Sequence, residues 1–319
     1  MQTRKLGNTD MYITSIGFGS WAIGGSNWAY SWGAQDDSDA IGAIERAVGL
    51  GINWIDTAAV YGLGHSEELV AKALAGIKKK PFIFTKCSLV WNHENQISSS
   101  LKADSVRREC EESLKRLDVD AIDLYQIHWA NPAVDIEEGW EEMVRLKEDG
   151  LVRYIGVSNF SVEQLRRIMS IAPVASLQPP YSILRPAIEH ELLPFCMEHN
   201  IGVIVYSPML SGMLTGAMTL ERVANFPLDD WRRGNKEFQE PRLSANLALV
   251  ELLKRIGSPH GRSAGEVAIA WTLRHPGVTG AIVGGRNAAQ VEGIIGAEAF
   301  RLSQEEVADI ERFVADMPK

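Results

Sequence analysis

At 319 residues, 45% of them apolar and 23% charged, the chain has the composition of an ordinary folded protein, which excludes wholesale disorder and collagen-like repetition. Its 32 basic against 41 acidic residues leave a formal charge of -9, so no nucleic-acid partner is expected, since that affinity needs an excess of Lys and Arg. Cys87, Cys110 and Cys196 are odd in number, far apart and without C-x-x-C spacing, which points to a reduced, cytoplasmic setting and to no metal site.

The N-terminus breaks at Gly7 to Asp10 like a hairpin and lacks the basic start and apolar core of a signal peptide. Met11 to Gln35 carries no charge and is long enough to span a bilayer. Its five glycines, four serines and one asparagine argue for a neutral loop instead, with no membrane span. From there short apolar runs alternate with longer amphipathic stretches, the pattern of βα units around a parallel sheet. Eight strands are predicted, over Ile16 to Gly19, Ile52 to Ile55, Phe82 to Thr85, Ile122 to Ile127, Val152 to Val157, Ala175 to Gln178, Gly202 to Tyr206 and Gly280 to Val283. Between them, apolar residues at helical spacing, such as Ile41, Ile44, Ala47 and Val48, or Val106, Cys110, Leu114 and Leu117, predict helices facing a core. Ser161 with Gln164, Ser263 with Glu266 and Ser303 with Glu306 predict helix starts, and Gly150, Pro173 and Pro276 mark helix ends.

No linker or composition break divides the chain, so residues 1–319 are read as one domain. Eight apolar strands with interleaved helices favour a (β/α)8 TIM barrel with an N-terminal β-hairpin cap and extra C-terminal helices. The rival doubly wound sheet would carry a G-x-G-x-x-G turn after its first strand, and Gly19 to Gly25 lacks that spacing. Two stretches, Ser20 to Gln35 and Pro208 to Pro241, are long and show little periodicity. In a barrel both lie at the carboxyl face, where active sites and their lids sit.

That face gives a test of the fold, because chemically able residues should collect at the strand ends. Asp56 and Tyr61, Lys86, His128, Ser158 with Asn159, Gln178, Tyr206 with Ser207, and Gly284 with Gly285 and Arg286 all do so. Taken singly each has a bland reading as a cap, a solvated end or a structural histidine. Jointly, Asp, Tyr, Lys and His on three successive strand ends converge. The Asp and Lys would form a partly buried ion pair, and a Lys cation beside a phenol lowers a pKa of about 10, so that the tyrosine can exchange protons.

These residues lie in segments that resemble one family. Asp56-Thr-Ala-Ala-Val-Tyr61-Gly62 with Ser66-Glu67 is similar to the D-T-A-x-x-Y-G-x-x-x-S-E stretch of the aldo-keto reductases, and the run from Leu117 through Asp123 to His128 to their R-L-x-x-D-Y-I-D-L-Y-x-x-H segment. Gly156-Val-Ser-Asn-Phe160 resembles their G-x-S-N-F, and Tyr206 to Gly212 with Gly284-Gly-Arg286 is most like bacterial branches. The resemblance covers essentially the whole chain. It implies an NADP-dependent oxidoreductase that reduces aldehydes and ketones to alcohols, with a small carbonyl compound as partner. Tyr61 would be the general acid, Lys86 with Asp56 would tune it, and His128 would orient the carbonyl.

By the same resemblance Ser158, Asn159 and Gln178 would hold the nicotinamide amide, Tyr206 would stack on the ring and Trp21 would contact the cofactor. Backbone amides from Ser207 through Leu210 to Gly212 would line the pyrophosphate, and Gly284, Gly285, Arg286 and Gln290 the adenosine end. Arg286 favours NADP(H), with NAD(H) possible, because the polar run the family often carries after strand eight is replaced by Val283-Gly284-Gly285. Of the nine tryptophans, Trp54 and Trp271 fall at core positions, while Trp21, Trp28, Trp32, Trp91 and Trp129 would line a flat apolar substrate pocket suited to aromatic or bulky carbonyls. The alternative is a cofactor-binding regulatory subunit of the potassium-channel β type without significant turnover.

Overall fold

In the computed structural model, which describes residues 1–317, eight parallel strands close into a barrel. They are β1 (Ile16–Gly19), β2 (Trp54–Asp56), β3 (Phe82–Cys87), β4 (Ile122–Ile127), β5 (Val152–Ser158), β6 (Ser176–Gln178), β7 (Gly202–Val205) and β8 (Gly280–Gly284). Each pairs with the next in chain order, and β8 closes on β1 with Ile282 opposite Gly17 and Gly284 opposite Gly19. All eight lie on the predicted apolar runs. Two differences matter for the site: Asp56 and Lys86 lie within strands rather than after them, in register with Phe84 and Gln126. Neighbouring strands therefore hold the Asp56 backbone on both sides and that of Lys86 on the β4 side.

The barrel interior is filled by Trp54, Phe84, Leu124, Ala175, Ile204 and Ile282, with Leu6, Met11 and Ile13 closing its floor. Ile13 lies in, and Leu6 and Met11 adjoin, the strands of a hairpin of Thr3–Lys5 against Tyr12–Thr14, the predicted N-terminal cap. The Trp54 indole donates to Thr14 O at 2.8 Å, and only a glycine fits beside it, since a Cβ on Gly17 would lie 2.1 Å from the ring. The charge-free run from Met11 is thus spent on the cap, β1 and a loop. Among the described residues no helix is long and apolar enough to cross a membrane.

Outside the strands lie α1 (Asp37–Gly49), α2 (His65–Leu74), α3 (Ala103–Leu117), α4 (Ile136–Glu148), α5 (Val162–Met169) and α6 (Leu192–Glu198). Then follow α7 (Leu220–Ala224), α8 (Arg242–Gly257), α9 (Ala264–Leu273), α10 (Ala288–Glu292) and α11 (Gln304–Ala315). α5, α9 and α11 begin with the three predicted reciprocal caps, each serine accepting an amide while the Gln or Glu three along accepts from the serine's own N–H. α9 is buried on every side because α8, an addition to the minimal barrel, covers it, and α11 packs on α8 in turn. A second hairpin, Leu89–Trp91 against Ile97–Ser99, follows β3. It is not predicted, although Asn92 to Asn95 between two apolar runs is a turn signal. The stretch from Pro208 to Pro241 is also not a bare loop: it folds into short helical turns, including α7, Trp231–Gly234 and Lys236–Phe238.

Candidate active site

At the carboxyl face, Lys86 and Asp56 form a pair with Nζ 2.6 Å from Oδ1, both side chains almost wholly buried. Lys86 also donates to Thr57 O at 2.8 Å and lies 3.4 Å from the Tyr61 hydroxyl. Asp56 Oδ2 accepts from Gln178 Nε2 at 2.7 Å and, more weakly, from Gln126 Nε2 at 3.5 Å. The His128 ring meets Tyr61 edge-on, with centroids 5.8 Å apart. Strands β2, β3 and β4 thus bring the four side chains together, as their strand-end positions predict.

The electrostatics differ from the expectation in one respect. Burial, and then the Asp56 charge, hold the Tyr61 phenol well above its usual value rather than below it. The lysine charge that would favour phenolate is satisfied first by Asp56, which is closer. Burial lowers Lys86, an effect the Asp56 charge opposes, and burial followed by the Lys86 charge pushes His128 well below the usual imidazole range. Near neutral pH the site therefore presents a protonated phenol and a neutral imidazole, a proton donor beside a group able to hold an oxygen without competing for the proton.

Glycine explains how the first loop reaches this point. Gly62 follows Tyr61 at φ +61, and a Cβ there would lie 2.0 Å from Gly24 O. That close approach lays the turn at Trp21–Ile23 against Tyr61, with Trp21 stacked on its ring at 6.3 Å. Gly62→Ala should therefore displace the loop, destabilise the fold by roughly 1–3 kcal/mol and change tryptophan emission. Thermal unfolding and fluorescence together check this, and an unaltered melting curve would refute it.

The site opens into a cleft of about 990 Å³. Asp56, Tyr61, His128, Ser158, Asn159, Gln178, Tyr206, Ser207, Gly212, Gly284, Gly285, Arg286 and Gln290 all line it, as do Trp21, Trp28, Trp32 and Trp129. Lys86 lies behind this surface. Two further predicted residues do not belong to the lining. Trp91 is carried outward by the second hairpin and sits over Arg116, 5.9 Å from the guanidinium. The Leu210 side chain is buried beneath the wall, so only its backbone can serve the cleft. That backbone is unusual: Leu210, Ser211 and Gly212 are successive left-handed residues at φ +48, +55 and +89, and the Leu210 amide donates to Ser207 O at 2.9 Å.

Several predicted contacts are already engaged within the protein. Asn159 donates to His128 O and to Ser158 Oγ while accepting from the Tyr206 hydroxyl, and Ser158 Oγ donates to Gln178 O. Arg286 donates to Gln35 Oε1 at 2.6 Å and to the carbonyls of Trp32 and Ala34, which ties β8 to the first loop. Sequence reasoning missed Trp231, which stacks on Trp21 at 5.1 Å, and Arg232, whose buried guanidinium pairs with Asp230 at 2.6 Å and lies 4.5 Å over Trp32. With the Trp231 N–H donating to Ser31 O, these residues join the stretch from Pro208 to Pro241 to the first loop across the cleft. A tryptophan beside two arginines in an aperiodic stretch was the available signal.

A family profile described as the Aldo/keto reductase family matches residues 15–315. The chain is 37% identical to "Aldo-keto reductase YhdN" of Bacillus subtilis, covering 97% of this chain and 92% of that one. It is 32% identical to the "NADH-specific methylglyoxal reductase" of Escherichia coli, covering 95% of each. Among solved structures it is similar to the glycerol dehydrogenase AKR11B4 from Gluconobacter oxydans, with a TM-score of 0.89, 36% identity and coverage of 98% and 95%. The chain belongs to the aldo/keto reductase family, whose members are oxidoreductases that act on carbonyl groups with nicotinamide cofactors.

Proposed function

We propose that the protein reversibly reduces neutral aldehydes and ketones with NADP(H), and that Tyr61, Lys86, Asp56 and His128 carry the reaction. The observation that supports this most directly is the placement of a half-buried, protonated Tyr61 hydroxyl 3.4 Å from Lys86 and beside a neutral His128 on the wall of the cleft. The carbonyl oxygen is held between the Tyr61 hydroxyl and the imidazole. Tyr61 gives it a proton as negative charge develops there. Lys86, kept charged by Asp56, stabilises the phenolate left behind. Gln178 and Gln126 fix the second oxygen of Asp56, so the pair keeps its orientation through the proton transfer.

Gln178, which lines the cleft, has no donor on its Oε1 among the described residues, which leaves that oxygen free for the nicotinamide amide. Ser158, Asn159, Gln178 and Tyr206 would hold the nicotinamide end, the backbone from Ser207 to Gly212 the pyrophosphate, and Gly284, Gly285, Arg286 and Gln290 the adenosine end. Bound there, the cofactor supplies the hydride that the carbonyl carbon receives. The NADP(H) preference is supported by charge. Arg286 has only neutral partners among the described residues, and Arg232 and Arg222 add to the positive field around it, an effect Asp230 partly offsets. Arg286→Ala should weaken NADPH binding by roughly 10- to 100-fold, the range for one hydrogen bond to a charged group, and NADH binding far less. Titration of both cofactors decides the preference, and equal losses would refute it.

Trp21, Trp28, Trp129 and Trp231 make the carbonyl space flat and apolar, which suits aromatic or bulky neutral carbonyls over charged ones. The test of the function is cofactor oxidation across a panel of aromatic, aliphatic and acidic carbonyls. Tight cofactor binding without turnover on any of them would favour the regulatory-subunit alternative instead.

A further inference from the structure

Beneath the carbonyl site lies a buried acid that the reaction does not use. Glu109, on α3, accepts from the Ser88 backbone N–H at 2.9 Å and from the Ser105 hydroxyl at 3.1 Å. No salt bridge reaches it among the described residues, although its side chain is almost fully enclosed. Ser88 follows β3 two residues after Lys86 and stands at φ +83, a conformation that favours glycine and costs a serine energy unless something holds it.

What Ser88 does next connects this acid to the cleft. Its hydroxyl accepts from the Trp129 N–H at 3.2 Å and donates to Trp129 O at 3.4 Å, while Cys87 O accepts from the His128 N–H at 3.0 Å. The corner carrying His128 and Trp129 is thus hung from the turn at Cys87 and Ser88. The turn, in its strained conformation, is fastened by Glu109. Trp129 stacks on His128 with centroids 6.4 Å apart and is the most exposed indole of the cleft, at 45%.

We propose that Glu109 is a positioning residue for the carbonyl site, acting through the Ser88 turn on Trp129 and His128, and that substrate binding tightens when Glu109 is charged. The inference rests on the reading of this cleft as the carbonyl site. An N–H to a carboxylate is roughly twice as strong as one to a neutral carboxyl, so protonation loosens the fastening of the strained turn. Burial pushes the Glu109 carboxyl up to about 7, which brings that change into the neutral range. The thiols and the phenol that face it stay protonated there. Burial raises the Cys87 thiol on β3 and the Tyr125 phenol on β4, and it raises Cys110 on α3 to about 12. Arg108 and Glu112 on α3 act at longer range with opposite signs. Glu67 on α2 is committed to Arg116 and Thr85, and Glu142 on α4 to Arg107.

Two readouts test this on the full chain. In steady-state reduction of an aromatic aldehyde at saturating NADPH, KM of the unmodified protein should rise roughly 3- to 10-fold as pH falls through about 7, with kcat changing less. Glu109→Gln keeps an acceptor for Ser88 but cannot ionise, so its KM should not vary with pH. Glu109→Ala should show a raised KM at every pH. Independently of turnover, the Trp129 emission, isolated by subtracting the spectrum of Trp129→Phe, should titrate with the same midpoint and lose that titration in Glu109→Gln. Ser88→Ala, which cuts the hydroxyl link to Trp129 and leaves the bond from His128 to Cys87 O, should weaken it. A Trp129 titration that survives in Glu109→Gln, or that is undiminished in Ser88→Ala, overturns the proposal. So does a KM profile of Glu109→Gln that matches the unmodified protein. Absence of turnover on every carbonyl would count against the reductase reading alone, because the fluorescence readout still decides the role of Glu109.

Discussion

Replacement of Tyr61 by Phe is expected to lower kcat for carbonyl reduction by about 10²- to 10⁴-fold, the usual contribution of a positioned general acid, while cofactor affinity stays within about twofold. The ring keeps its contacts with Trp21, Trp28 and His128, so only the hydroxyl beside Lys86 is lost. The pH profile carries a second check. Because burial and the Asp56 charge raise the Tyr61 pKa, the acid form persists through neutral and mildly alkaline pH. The proton-donation step should therefore be level from about pH 7.5 to pH 9 and fall only as the raised pKa is approached, whereas alcohol oxidation, which needs the phenolate, should climb over the same interval. A reduction rate that rose steadily with pH, or a Phe variant with near-normal turnover, would remove Tyr61 from its role.

Asp56→Asn should give the largest loss of stability. Lys86 would be left buried without its counter-charge, and removing one partner of such a pair costs about 3–5 kcal/mol. For a chain of this size that corresponds to a fall in Tm on the order of 5–10 °C. Activity should fall with it, since Lys86 would then release its proton and cease to stabilise phenolate. Adding Lys86→Met to Asp56→Asn removes the orphaned charge, so the double variant should recover part of the lost stability but none of the activity. Calorimetry of the four proteins in the cycle checks the coupling, and strictly additive losses would show that the pair is not the unit described here.

The eight strands were legible because their signal is local: each is a short apolar run bounded by Gly, Pro or polar residues, buried on both faces and therefore free of alternation. The three Ser caps were legible for the same reason, since the partners lie three residues apart. The candidate tetrad followed from the fold, because Asp56, Lys86 and His128 needed only to be assigned to strand ends. The boundary differences at β2 and β3 were small in sequence, yet they place Asp56 and Lys86 inside the hydrogen-bonded ladder.

What was not legible depends on chain segments far apart in sequence. Trp91 looked like a pocket residue until the second hairpin carried it onto Arg116. Trp231 and Arg232 gave no periodic signal, and their place across the cleft comes from contacts with Trp21, Trp32 and Ser31 about 200 residues earlier. The sign of the Tyr61 shift was misjudged from sequence because a Lys neighbour could be inferred, whereas the depth of burial and the greater closeness of Lys86 to Asp56 could not.

By itself, the order of residues determined the barrel, the strand ends that carry polar side chains and the family to which the chain belongs, since all three are written in short-range pattern. Only the tertiary structure decided which side chains face the cleft, how the first loop and the stretch from Pro208 to Pro241 meet over it, and that a buried Glu109 lies under the Ser88 turn. Those outcomes turn on burial and on distances between remote segments, and burial sets the charge states on which the chemistry depends.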